Sequence, residues 1–83
     1  MSGILRVAVI SPEAVLFEGD ASSVVAPAFD GEIGILPLHA PLMTLLGNGV
    51  LRLGDGQRFQ VKGGFLQVAD DQVRVVTEWA AKA

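Results

Sequence analysis

The residues best able to do chemistry in this chain stand close together. Asp30, Glu32 and His39 lie within the run DGEIGILPLHAP, positions 30–41. Two carboxylates and an imidazole are donors that could hold a metal ion. His39 is the only histidine, and it could also act as the base for a hydroxyl nucleophile from Ser11, Ser22 or Ser23. Neither reading has the spacing that such sites show. One histidine and no cysteine is also poor provision for a metal. No catalytic, metal or cofactor-binding residue is therefore assigned. Gly31-x-x-Gly34 and Gly63-Gly64 do not read as phosphate loops, because no helix follows whose amino end would face the phosphate. The plainer reading is architectural: Asp30 and Glu32 flank a turn glycine and face water, and the glycines and prolines shape a corner between strands. His39 has a restricted backbone between Pro37 and Pro41. It either hydrogen-bonds a neighbouring turn or is presented at an interface on a shaped loop.

The elements that must position this run read as short strands. Leu5, Val7 and Val9 share one face of Ile4–Ile10, with Arg6 on the other. Ser11-Pro12-Glu13 marks a turn. Val15–Phe17 is a short apolar piece ended by Glu18-Gly19-Asp20, and Ser22–Ala26 is a strand stopped by Pro27. Leu42–Leu46 lies between a proline and Gly47-Asn48-Gly49 and is too short for a helix, which favours a strand. Val50–Leu53 and Arg58–Lys62 flank Gly54-Asp55-Gly56, a hairpin signal of type I′. In the second of these, Phe59 and Val61 face inward. Phe65–Ala69 and Gln72–Thr77 form another hairpin around Asp70-Asp71. The residues alone give eight or nine short strands, with turn signals every six to ten positions. That pattern predicts an all-β fold, a flattened two-sheet sandwich or barrel. The expected organisation is one domain over 1–83, with 79–83 a short tail. Trp79, beyond the last of these strands, either packs on the sandwich edge or is offered to a partner.

Composition narrows the function classes. The 83 residues suffice for one small domain, and 51% of them are apolar, which excludes a disordered acidic chain. So much apolar surface is hard to hide in so small a fold, and a partner is a natural place for the remainder. The net charge is −3, and the six bases are scattered singly, which argues against nucleic acid. With no cysteine there is no disulfide, a usage that fits the cytosol best. No apolar run approaches the ~20 residues that span a bilayer. The start, MSGILRVAVI, is read as a strand rather than a leader, so membrane association is expected only through a protein partner.

The motif order resembles a known family. Val9-Ile10-Ser11-Pro12-Glu13, Leu16-Phe17-Glu18-Gly19 and Val24-Val25-Ala26-Pro27 precede the central run, with Pro41-Leu42-Met43-Thr44 continuing it. Gly49-Val50-Leu51-Arg52 and Lys62-Gly63-Gly64-Phe65-Leu66-Gln67-Val68 follow. Together they resemble, over about residues 5–78, the amino-terminal domain of the F-type ATP synthase epsilon subunit, the mitochondrial delta equivalent. The resemblance implies a ten-stranded flattened sandwich without catalysis, working in the rotor's central stalk. It implies a gamma subunit and the polar loops of the membrane c-ring as partners, and a peripheral place on the cytoplasmic face of the bacterial inner membrane. In that role the domain helps couple proton translocation to ATP synthesis. By matched position, Phe29, Asp30, Gly31 and Glu32 are expected toward the c-ring. His39, Ala40, Pro41 and Leu42 are expected toward gamma.

Two departures from the family pattern stand out. Leu38 sits where glycine is usual, so the turn is expected to differ or to stay in the β region. The family's two-helix carboxy-terminal domain, with its inhibitory and nucleotide-binding roles, is not expected within these residues. The competing reading is a stand-alone β-sandwich that binds a ligand or peptide. Such a module usually displays several exposed aromatics, against five aromatic residues in all here.

Overall fold

The computed structural model describes residues 3–83; the first two positions of the expected 1–83 domain lie outside the described residues. Ten strands alternate buried and outward residues: β1 (Leu5–Ile10), β2 (Val15–Ala21), β3 (Val24–Ala28), β4 (Gly31–Ile35), β5 (Leu42–Leu45), β6 (Asn48–Leu53), β7 (Arg58–Lys62), β8 (Phe65–Ala69), β9 (Gln72–Val76) and β10 (Trp79–Lys82). They form two five-stranded sheets, β2-β1-β9-β8-β5 and β10-β7-β6-β3-β4. All strand pairs are antiparallel except β1 with β9. The expected all-β sandwich is therefore observed, with the ten strands that the resemblance implied.

The core lies between the sheets. Leu5, Val7 and Val9 from β1 meet Val73 and Val75 from β9 and Leu66 and Val68 from β8. From the other sheet come Val24 and Ala26, Ile35, Leu51 and Leu53, and Phe59 and Val61. These sets follow from the period of two: when one face of a strand is buried, alternate residues fall inward together. Phe59, the largest of them, packs its ring against Phe17 at 6.1 Å between centroids, in a tilted arrangement.

The structure corrects several sequence expectations. β2 runs through Glu18-Gly19-Asp20 to Ala21, because its register with β1 extends that far. β3 runs through Pro27 to Ala28. The Pro27 carbonyl accepts from the Gly47 N–H at 2.8 Å, so the side lacking a donor faces the β5–β6 connection, where pairing with β6 has already ended. The tail expected at 79–83 is instead β10, which pairs with β7 from Trp79↔Lys62 to Lys82↔Phe59. Propensity at Ala80-Ala81 lost to the unpaired edge of β7.

The hairpin turns are also reassigned. At Gly54-Asp55-Gly56 only Gly56 has positive φ (95°), and its N–H closes a turn on the Leu53 carbonyl at 3.0 Å. That is the three-residue type I plus bulge connection, not type I′. The Gln57 backbone N–H, and then its side-chain amide, hold the Asp55 carboxyl below its usual range. At Asp70-Asp71 both residues have positive φ (51° and 60°), as a type I′ turn requires. Aspartate tolerates that region better than most side chains.

Thr77 is the one buried polar side chain among the described residues. It lies where the chain crosses from the first sheet to the second. Its hydroxyl sits 3.1 Å from the Lys62 carbonyl and 2.9 Å from that of Trp79, and it accepts the Lys62 N–H at 3.3 Å.

Candidate functional site

The run 30–41 divides into two parts. Residues Gly31–Ile35 are an edge strand, β4, paired with β3. Residues 36–41 are a connection that carries the chain from one sheet to the other, into β5. Phe29 and Asp30 form the tight turn between β3 and β4, and Gly31 closes it at φ 133°, a value open only to glycine. Glu32 lies just past the turn, opposite Pro27 in the register. Its carboxylate meets the Arg52 guanidinium at 3.3 and 3.5 Å across the outer face of the second sheet. Both side chains stay substantially exposed, so solvent screens the pair.

Leu36-Pro37-Leu38-His39 is a turn closed by the His39 N–H on the Leu36 carbonyl at 3.2 Å. Proline stands at the second position and Leu38 at the third, where φ is 70°. That is the type II pattern, in which the third position needs positive φ and favours glycine. The expectation that leucine would change the turn or hold it in the β region is thus overturned. What keeps Leu38 there is a bond from outside the turn: its N–H donates to Asp71 Oδ1 at 2.6 Å. His39 is half-buried, and its Nδ1 lies 2.7 Å from the Ala40 carbonyl, which fixes the imidazole against its own turn. The hydrogen-bonding reading of His39 has this contact behind it.

The two groups of expected contact residues lie at opposite ends of one strand. His39–Leu42 lead into the start of β5. At its far end the Phe29 N–H donates to the Leu45 carbonyl at 3.1 Å. Four residues of strand separate them by about 10 Å. Between and around them stands apolar surface that the core does not use. Phe29 is 67% exposed, Leu38 84%, Met43 63% and Leu45 61%. Met43 and Leu45 share the outward face of β5, the edge strand of its sheet. Sequence reasoning took Leu42–Leu46 for ordinary strand and missed this outward pair. The signal was the five-residue apolar run itself: a strand buried on one face only does not need apolar residues on both.

The catalytic readings gain nothing from the geometry. Among the described residues no three His, Asp or Glu side chains gather as a metal set. Asp30 and Glu32 lie at the β3–β4 end, and His39 lies across the connection against its own backbone. Trp79 is half-exposed, with Lys62 Nζ 4.8 Å from its ring centroid, a cation–π contact on the β7–β10 edge.

Comparison with known proteins agrees with this architecture. The sequence profile described as the beta-sandwich domain of the ATP synthase Delta/Epsilon chain matches residues 4–83. The ATP synthase epsilon chain of Leptospira borgpetersenii serovar Hardjo-bovis is 45% identical over 80 residues, covering 93% of this chain and 63% of that one. The epsilon chain of Desulforamulus reducens is 42% identical over 86 residues, covering 100% and 65%. The chain thus spans just under two thirds of the length of these relatives. Two solved structures share the fold at low identity. One is a chain of the Euglena gracilis mitochondrial ATP synthase, seen by cryo-EM with OSCP, F1 and c-ring. It has a TM-score of 0.89 at 19% identity, covering 99% of this chain and 55% of that one. The other is from the central stalk and c-ring of the Tetrahymena thermophila mitochondrial ATP synthase, with a TM-score of 0.77 at 15% identity, covering 93% and 65%. Sandwich topology, motif order and profile match converge: the chain belongs to the family of ATP synthase delta/epsilon chain β-sandwich domains.

Proposed function

We propose that this sandwich is a non-catalytic rotor component of an F-type ATP synthase, held between the gamma subunit and the c-ring. It joins proton translocation in the membrane sector to ATP synthesis in the catalytic head. The observation that carries this reading is the apolar edge at β5. Leu38, Met43 and Leu45 are largely exposed around one edge strand, in a chain whose core is already filled by other residues. Exposed apolar surface of this kind marks association rather than catalysis. In this reading His39, Ala40, Pro41 and Leu42 and the β5 edge face gamma. Phe29, Asp30, Gly31 and Glu32 face the c-ring loops. No helix among the described residues is long and apolar enough to cross a membrane. In this reading the domain reaches the membrane through the complex.

The test is reconstitution. The domain is expected to pull down gamma and to restore ATP-driven proton pumping to complexes stripped of their own subunit. Met43→Asp with Leu45→Asp should abolish the pull-down while the free domain still folds, because both side chains already face solvent. A domain that neither binds gamma nor restores pumping would sink the proposal.

A further inference from the structure

The outer face of the second sheet holds a feature that rotor contact does not explain. Val25, Arg52 and Arg58 stand side by side across β3, β6 and β7, paired in register as Val25↔Arg52 and Arg52↔Arg58. Two like charges directly opposite on neighbouring strands are unfavourable. The cleft above them has a volume of about 280 Å³, and its lining includes Ser23, Val25, Arg52, Gln57 and Arg58. One wall is built by a close approach. A Cβ on Gly54 would collide with the Ser22 hydroxyl and come within 2.8 Å of that of Ser23, and the Gly54 N–H bonds the Ser23 carbonyl at 2.9 Å. The serine corner and the β6–β7 turn are therefore close together, with little room for a side chain at position 54.

The polar groups of the cleft are unevenly satisfied. Arg52 is held by Glu32. The Asp55 carboxylate, the nearest acid in the turn, is taken up by the backbone and side-chain amides of Gln57. Among the described residues no carboxylate pairs with Arg58, and the Ser23 hydroxyl makes no hydrogen bond. A second cleft, on the outer face of the first sheet, shows the contrast. It too has two arginines, Arg6 and Arg74, but Glu18 shares its lining, and Asp20 pairs with Arg6 at 3.3 Å. A carboxylate is part of that lining, and none is part of the lining around Arg52 and Arg58.

We propose that the cleft between Arg52 and Arg58 binds a small phosphate-bearing anion. Arg52 on β6, Arg58 on β7 and Ser23 just before β3 line one cleft, a donor set suited to a tetrahedral group with several acceptor oxygens once Arg52 is released from Glu32. A planar carboxylate is satisfied by one fork, as Glu32 already shows on Arg52. The cleft, about 280 Å³, is partly open to solvent and can admit a phosphate with a substituent. With a net charge of −3 the chain does not attract anions in general, so binding must come from this local pair. Glu32 and the anion compete for Arg52.

The test is an amide NMR titration of this chain with inorganic phosphate and with pyrophosphate, at constant ionic strength set with sodium chloride, and with acetate in a parallel series. Saturable shifts are expected at Ser23, Gly56, Gln57 and Arg58. Arg58→Ala should weaken binding about tenfold, the size of one lost charged hydrogen-bonding group. Glu32→Gln should tighten it several-fold by freeing Arg52. Arg74→Ala, in the second cleft, should leave it unchanged. Both arginines are exposed enough that unchanged spectra elsewhere will confirm folding of the variants. Shifts that do not saturate, an Arg58→Ala titration equal to that of the unmodified chain, or acetate binding as tightly as phosphate would each overturn the proposal.

Discussion

The main-chain N–H of Leu38 and the Oδ1 of Asp71 are 2.6 Å apart across a sequence separation of 33. Both residues are in the left-handed region, at φ 70° and 60°. For leucine that conformation costs about 1–2 kcal/mol. A hydrogen bond to a charged acceptor contributes about 1.5–3 kcal/mol, enough to offset it. The 36–41 connection is thereby tied to the β8–β9 hairpin, and the most exposed large apolar side chain in the described residues is held out at a fixed point.

Asp71→Ala should lower stability by about 2 kcal/mol, through loss of that bond and of the residue's tolerance for positive φ. Urea denaturation measures the loss, and amide exchange at Leu38 and His39 should quicken. Asp71→Asn, which keeps an acceptor oxygen and favours the same φ, should recover most of it. If both variants are as stable as the unmodified chain, the tie has no energetic role.

Leu38→Gly should raise stability by about 0.5–1 kcal/mol, because glycine relieves the strain at the third turn position while giving up only exposed contacts. The same variant should bind gamma more weakly, since it removes a pre-positioned apolar contact. Opposite signs in thermal melting and in pull-down are the expected signature. A loss in both would mean that the side chain packs within the fold.

Gly64→Ala should be severe. Gly64 has φ 100°, and a Cβ there would collide with the Val76 carbonyl oxygen and lie 2.7 Å from the Thr77 Cα. Both contacts are backbone and cannot rotate away. A loss of more than about 3 kcal/mol is expected, enough to unfold much of so small a domain. Gly31→Ala is the useful comparison, since it shares the positive φ but meets no atom within 4 Å, and should cost about 1–2 kcal/mol.

Glu32→Lys should change the stability of the free domain by less than about 1 kcal/mol, because its partner Arg52 is an exposed, screened contact. In the assembled rotor the same change should weaken assembly or coupled proton pumping. A melting temperature that collapses with normal coupling would reassign Glu32 to a structural role.

Much of this protein was legible in its residues. The alternation in LRVAVI and RFQVK, with turn signals at their ends, determined those two strands and their inward faces. One histidine, no cysteine and unmotivated spacing left DGEIGILPLHAP without a recognisable catalytic motif. Those are local properties, read from side-chain period and chemistry one segment at a time.

The tertiary structure decided what depends on neighbours distant in sequence. Ala80-Ala81 became a strand because β7 offered an open edge, and Pro27 stayed within β3 because its donor-free side lies past the end of the β3–β6 ladder. Leu38 took glycine's conformation because Asp71, on another hairpin, supplied the compensating bond. The Arg52–Arg58 pair exists only through the register of β6 on β7. A residue's intrinsic preference is worth a kilocalorie or so, and a single well-placed long-range contact is worth as much. Where the two compete, the sequence alone states the preference and only the fold states the outcome.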